Sequence, residues 1–253
     1  MPLEIDEFNP KKAQCDRVWL IIGARNTGKS VLLKDLIYQT QRKTDLIMGM
    51  TQTKSTAKMF EEFMPKSFVY SDGYNYEKTE EFLGIASDLA QREKIRHVTL
   101  VMDDVNFDQK ILKSKTQQNL HLNGRHYHTC IFNTSQFSML VPTTIRANCD
   151  YIIALKETIR ANRRRLFEHY FGIFESFAEF ERVFMECTKN YGAMILDRTQ
   201  SSGRVEDLIK YYRAKTDTPP FKIGKRVFWK LSAHVESLKK EKDIQKKRNT
   251  KMI

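Results

Sequence analysis

The chain has 253 residues, room for one large domain or two small ones. Apolar residues make up 41% and charged residues 29%, the balance of an ordinary globular protein, which excludes a disordered or fibrous chain. Its 43 Lys and Arg against 31 Asp and Glu leave a net charge of +12, which suits a polyanionic partner and nucleic acid before membrane. The longest apolar run, Val18 to Ala24, is far short of the roughly 20 residues that cross a bilayer. The acidic start, Met1 to Glu7, lacks the apolar core of a secretion signal. Cys15, Cys130, Cys149 and Cys187 show no zinc or redox spacing, so the chain reads as disulfide-free and of a reducing compartment.

In chain order, Arg17 to Ile22 is a continuous apolar run, the mark of a strand covered on both faces. Gly23 breaks it, and Val31, Leu32, Leu33, Leu36 and Ile37 follow at helical spacing. Asp45 to Met50 reads as a second strand and Ser67 to Tyr70 as a short one ended by Asp72-Gly73. Phe82, Leu83, Ala86, Leu89 and Ala90 mark one face of a helix. Val98 to Met102, Thr129 to Thr134 and Tyr151 to Leu155 are buried strands. Strands alternating with helices predict an α/β fold with a mainly parallel central sheet flanked by helices. Beyond residue 157, Phe177, Phe180, Phe184 and Cys187 fall on one helical face, with Ser176 and Glu179 at capping-box spacing. Ala193 to Leu196 and Arg226 to Trp229 are candidate edge strands. The last sixteen residues, Leu238 to Ile253, hold seven basic and two acidic side chains. They read as a solvated tail. The expected division is an N-terminal arm at 1–16, one domain at 17–235 and an unordered basic tail at 236–253.

One motif stands above the rest. Gly23-Ala24-Arg25-Asn26-Thr27-Gly28-Lys29-Ser30 matches the phosphate-binding loop G-x-x-x-x-G-K-[ST], with an apolar strand before it and a helix after. Its glycines let successive backbone N–H groups turn toward a phosphate at the positive end of the next helix. Lys29 is then the cation for the β- and γ-phosphates, and Ser30 a ligand for Mg²⁺. Val98 to Met102 runs into Asp103-Asp104. Asp103 is the candidate partner of the Mg²⁺ ion, and Asp104 the carboxylate that orients and polarises the attacking water. No N-K-x-D base-reading motif is present, which argues against a guanine-type GTPase. The order of strands better suits the P-loop class with an extra strand between the loop strand and the acidic strand.

The ordered series Gly23–Ser30, Val98–Asp104, Asn123-Gly124-Arg125-His126 leading into Cys130 to Gln136, then Ile145 to Ile153, resembles the poxvirus-type genome-packaging ATPases of large DNA viruses, within the HerA–FtsK superfamily. The resemblance covers about residues 17–215. It implies an ATP- and Mg²⁺-dependent motor that assembles as a homo-oligomeric ring, pentamer or hexamer. Such a motor drives viral double-stranded DNA into a capsid, with capsid or internal-membrane viral proteins as further partners. Its place would be the viral factory of the host cytoplasm, or the virion. By the same resemblance Gln136 is the polar sensor of the γ-phosphate or attacking water, and Arg125 the arginine offered to the neighbouring subunit's nucleotide. Arg146 is the rival for that role, and Arg25 an arginine that acts on the phosphates in cis. Asp104 departs from the Glu that many such motors use.

Two other classes share part of this pattern: a small-molecule P-loop kinase, and a non-catalytic nucleotide-regulated DNA-binding or assembly protein. His121, His126 and His128 invite a metal reading, with His126 and His128 on one face of an extended segment, but no carboxylate or cysteine completes a ligand set, so packing or surface roles are expected. Arg160, Arg163, Arg164 and Arg165 read as a solvated helix face that could also line a channel for a phosphate backbone.

Overall fold

The structure, a computed structural model, describes residues 4–105, 114–124, 128–137, 139 and 141–250, the last eight by backbone alone. Its centre is an eight-stranded sheet. The strands are β1 (Val18–Ile22), β2 (Leu46–Thr51), β3 (Val69–Tyr70), β4 (Val98–Asp103), β5 (Thr129–Ser135), β6 (Tyr151–Leu155), β7 (Gly192–Asp197) and β8 (Ile209–Arg213). They lie in the order β3-β2-β4-β5-β1-β6-β7-β8. From β3 to β6 every pairing is parallel, while β7 and β8 run antiparallel at one side. The strand between the loop strand β1 and the acidic strand β4 is β5, so the expected extra strand is present. It follows both of them in sequence.

The helices are α1 (Lys29–Thr40), α2 (Lys54–Phe63), α3 (Tyr76–Gln91), α4 (Lys115–Asn123), α5 (Thr143–Ala147), α6 (Arg160–Tyr170), α7 (Phe177–Cys187), α8 (Val205–Leu208) and α9 (Arg226–Thr250). They cover both faces of the sheet, which is why the central strands need no polar alternation. Along β1, Val18, Leu20 and Ile22 enter one core, with Phe82, Phe180 and Phe184. Trp19 and Ile21 enter the other, with Leu33, Leu36 and Phe60. Each such side chain, fully removed from water, contributes about 1.5–3 kcal/mol. Trp19 stacks on Phe132 at 5.2 Å and meets Tyr151 at 4.1 Å, tying β1 to both of its neighbours.

Several sequence expectations change here. Gly192–Asp197 is a strand, but β8 covers it, so it is not the sheet edge. Arg226 to Trp229 opens α9 rather than forming a strand, and only Val69–Tyr70 of the short strand pairs. From 236 to Thr250, the stretch expected to be an unordered tail continues α9. Lys239 pairs with Glu236, three residues earlier, at 3.0 Å, a spacing that supports a helix. The N-terminal arm packs against the sheet: Phe8 N–H donates to Tyr211 O at 2.8 Å, and its ring is buried against Trp19, Tyr151 and Tyr212. Ser176 caps α7 by accepting from Glu179 N–H at 3.2 Å, while the Glu179 carboxylate accepts from Glu175 N–H instead of closing the box on Ser176. All four cysteines are free thiols. Among the described residues, no helix is long and apolar enough to cross a membrane.

Candidate active site

At the carboxyl ends of β1, β4 and β5, sequence-distant residues meet. The loop after β1 must curl within a few residues, and its backbone does so at Asn26 (φ 63°) and Gly28 (φ 91°). Gly28 is also the residue that opens α1, where a left-handed backbone strongly favours glycine. At Gly23 the reason is space: a Cβ there would lie 2.7 Å from both Leu155 Cδ1 and Thr27 Oγ1. Thr27 Oγ1 donates to Ala24 O at 2.8 Å, closing the loop on itself. Ser30 and Arg25 are exposed, Ser30 in the first turn of α1.

Lys29 is almost buried, and its ammonium donates to both oxygens of Asp104, at 2.6 and 2.7 Å. A buried cation needs such a partner, because an unpaired one would cost several kcal/mol. Gln136, just past β5, donates its Nε2 to Asp104 Oδ2 at 3.0 Å. Asp104 holds a left-handed backbone (φ 52°), and its N–H donates to Thr134 Oγ1 at 3.0 Å. Thr134 Oγ1 in turn donates to Asp103 Oδ1 at 2.7 Å, and Thr51 Oγ1 reaches Asp103 Oδ2 at 3.4 Å. Asp103 is buried, and burial pushes its carboxyl above the usual range; the Thr134 hydrogen bond opposes this and the Asp104 carboxylate adds to it. Asp103, a carboxylate that is costly to ionise alone, and Ser30, an exposed hydroxyl in the first turn of α1, are hard-oxygen donors of the kind that hold a divalent cation.

The structure thus brings together Lys29, Asp103, Asp104 and Gln136. It does not bring Arg146 to them: that side chain lies over the Tyr170 ring at 5.4 Å and donates to Thr143 Oγ1 at 2.8 Å, beside the amino end of β6. Arg125 and His126 lie outside the described residues. Three of the four clustered arginines of α6 are turned to α7. Arg163 and Arg160 reach Glu181 at 2.9 and 3.5 Å, and Arg164 sits 4.5 Å over Phe177. Arg165 instead lines a cleft beside the loop, with Gly23, Gln136, Glu157 and Asn162.

Thr51 and Thr134, which hold the two aspartates, carry no sequence signal, because single strand threonines are common. Tyr191 was also missed. Its ring is 71% exposed and lies 3.4 Å from where a Cβ on Gly28 would be. It sits just before β7, whose antiparallel course brings its start to the loop's end of the sheet.

A family model described as 50S ribosome-binding GTPase matches residues 18–133, the part from the loop strand into β5 and less than half of the chain. Protein 088R of Invertebrate iridescent virus 3 is 28% identical over 234 residues, 88% of each chain. Protein L437 of Acanthamoeba polyphaga mimivirus is 28% identical over 240 residues, covering 89% of this chain and 81% of that one. Among solved structures, the genome packaging NTPase B204 from Sulfolobus turreted icosahedral virus 2, in complex with AMP, superimposes with a TM-score of 0.59. The identity is 18%, over 82% of this chain and all of B204. The same NTPase with AMPPCP gives a TM-score of 0.56 at 18% identity, over 79% of this chain and 98% of that one. The chain therefore has the P-loop NTPase fold, in the form seen in a viral genome-packaging NTPase, and its sequence relatives are proteins of large DNA viruses.

Proposed function

We propose that the protein is the ATP-hydrolysing motor that moves viral double-stranded DNA into a capsid, working as a ring of identical subunits. The observation that carries this reading is the contact of Lys29, Asp104 and Gln136 beside Asp103 at the mouth of the loop. Lys29 and Gln136 both donate to Asp104, which supports reading them as a phosphate cation, a polar sensor and a water-orienting carboxylate, the groups that hydrolysis of a phosphoanhydride needs.

In this mechanism the loop N–H groups at Gly23 to Gly28 take the phosphates, and Lys29 leaves Asp104 for their negative oxygens. Ser30 and Asp103 would hold Mg²⁺, which when bound neutralises charge on the phosphate oxygens. Freed of Lys29, Asp104 accepts a hydrogen bond from the attacking water and draws off its proton, while Gln136 fixes that water or the γ-phosphate. In the ion pair seen here Asp104 is occupied, so phosphate binding and activation of the carboxylate are one event. Arg125, or Arg146, would supply a guanidinium to the neighbouring subunit's nucleotide, and Arg25 one in cis. The +12 charge and the basic end of α9 suit a DNA backbone, and Arg165 beside the loop could couple it to the nucleotide. The viral relatives and the shared fold with a packaging NTPase support the assignment over a kinase; the absence of an N-K-x-D motif supports adenine over guanine.

Asp104→Asn tests the catalytic assignment. It should bind nucleotide at near-normal affinity while turnover falls about a hundredfold or more, the usual loss for a general base. Unchanged turnover would move the carboxylate role elsewhere.

A further inference from the structure

At the pole of the sheet opposite the nucleotide loop, three side chains from distant parts of the chain converge. Asp16 lies two residues before β1, His97 immediately before β4, and His128 immediately before β5. These strands are neighbours in the order β4-β5-β1 and run parallel, so their amino ends meet at one place. That place is about 20 Å from the loop, a strand's length at roughly 3.3 Å per residue. His97 Nδ1 is 2.8 Å from Asp16 Oδ1, and His128 Nδ1 is 3.3 Å from Asp16 Oδ2. One ligand atom from each of the three residues lies within 4.8 Å of the others.

We propose that Asp16, His97 and His128 form a binding site for a divalent transition-metal ion of the zinc class, distinct from the Mg²⁺ position at the nucleotide. Three observations carry it. The separations suit the ion: two ligands about 2.0–2.1 Å from a tetrahedral zinc stand about 3.3–3.5 Å apart, within small side-chain shifts of those seen. The ligand chemistry suits it too, since two imidazoles and one carboxylate favour zinc, cobalt or nickel over magnesium and calcium. Access suits it as well. Asp16 is 17% exposed, His97 32% and His128 56%, so an ion would meet three protein ligands and keep a coordination position open to water. Two neighbouring cations are directed elsewhere: Arg17 to Gln14 and Asp150, Lys43 to the carbonyl of Ala13. Among the described residues, no thiol joins the three at that distance.

Asp16 and His128 both hold left-handed backbones, φ 58° and 50°. That conformation is uncommon outside glycine, though Asp and His tolerate it better than most. A bound ion would tie together the bases of the three strands whose other ends carry the loop, the two aspartates and Gln136.

The test uses the full chain, freed of metal, and Zn²⁺ titrated against a chelating competitor without nucleotide. One ion per chain should bind with a Kd below about 10 μM, and saturating Zn²⁺ should raise the thermal midpoint, as any ligand of the folded state does. His128→Asn suits the left-handed backbone and changes an exposed residue, so it should fold as the parent does. It should weaken Zn²⁺ binding at least tenfold and lose the thermal shift, and Asp16→Asn should do the same. A chain that binds no ion stoichiometrically, or a folded His128→Asn that binds Zn²⁺ as tightly as the parent, would overturn the proposal.

Discussion

His121 and His128, two of the histidines that invited a metal reading from sequence, have different fates, and the difference is burial. His121 is inside the core, its Nδ1 2.8 Å from Gln117 O and its Nε2 2.8 Å from Asn133 Nδ2. With Nδ1–H donating to the carbonyl and the Asn133 amide donating to a bare Nε2, the ring is set to be neutral. Burial lowers its pKa from 6.5 to about 4, with the Gln117 carbonyl opposing. Between those values the unfolded chain binds the proton and the folded chain does not, so stability falls as pH drops. The contribution is whole above pH 6.5 and lost toward pH 4, about 3 kcal/mol in all. Urea unfolding at pH 7 and pH 5 should show about 2 kcal/mol of this loss, absent in His121→Gln; equal pH dependence in the two proteins would refute it. Tyr191 carries a second prediction at this scale. Its exposed ring lies against Gly28 of the loop, and if it stacks on the bound nucleotide, Tyr191→Ala should weaken ATP binding about tenfold with turnover at saturation little changed. Equal affinity would leave Tyr191 with no part in the site.

At the scale of elements, what could be read depended on whether the physics is local. The loop was legible because its chemistry needs fixed residue types in one contiguous run. So was α7, whose Phe177, Phe180 and Phe184 repeat at helical spacing behind Ser176. β8 was not, because Ile209 to Arg213 alternates weakly and gains its place by pairing with β7. Nor was the Asp16–His97–His128 group, whose members are 81 and 112 residues apart and meet only once the strands are ordered. α9 was misread from charge alone; a Lys-rich segment with Glu three residues away has helical pairs available. The functional expectation for that segment stands as a prediction. Deleting Leu238 to Ile253 should weaken DNA binding and flatten its salt dependence while basal hydrolysis stays unchanged, since seven of its residues are basic. An unaltered salt slope would place the DNA contacts elsewhere.

Across the whole molecule, the parallel strands β4, β5 and β1 present the loop, the two aspartates and Gln136 at one pole, their carboxyl ends, where α/β sheets place their ligands. β5 lies between the other two, and this is what sets Gln136 against Asp104. In the proposed reading the sheet carries the nucleotide chemistry, and the surplus positive charge has the sign that a long polyanionic partner would require. The most direct test of the motor reading is the rate of ATP hydrolysis as a function of double-stranded DNA added, with no other acceptor present. DNA should stimulate hydrolysis independently of sequence, more strongly for long duplexes than for short ones and less at high salt, and Lys29→Ala should abolish both basal and stimulated turnover. Hydrolysis that ignores DNA, or that persists in Lys29→Ala, would contradict the account.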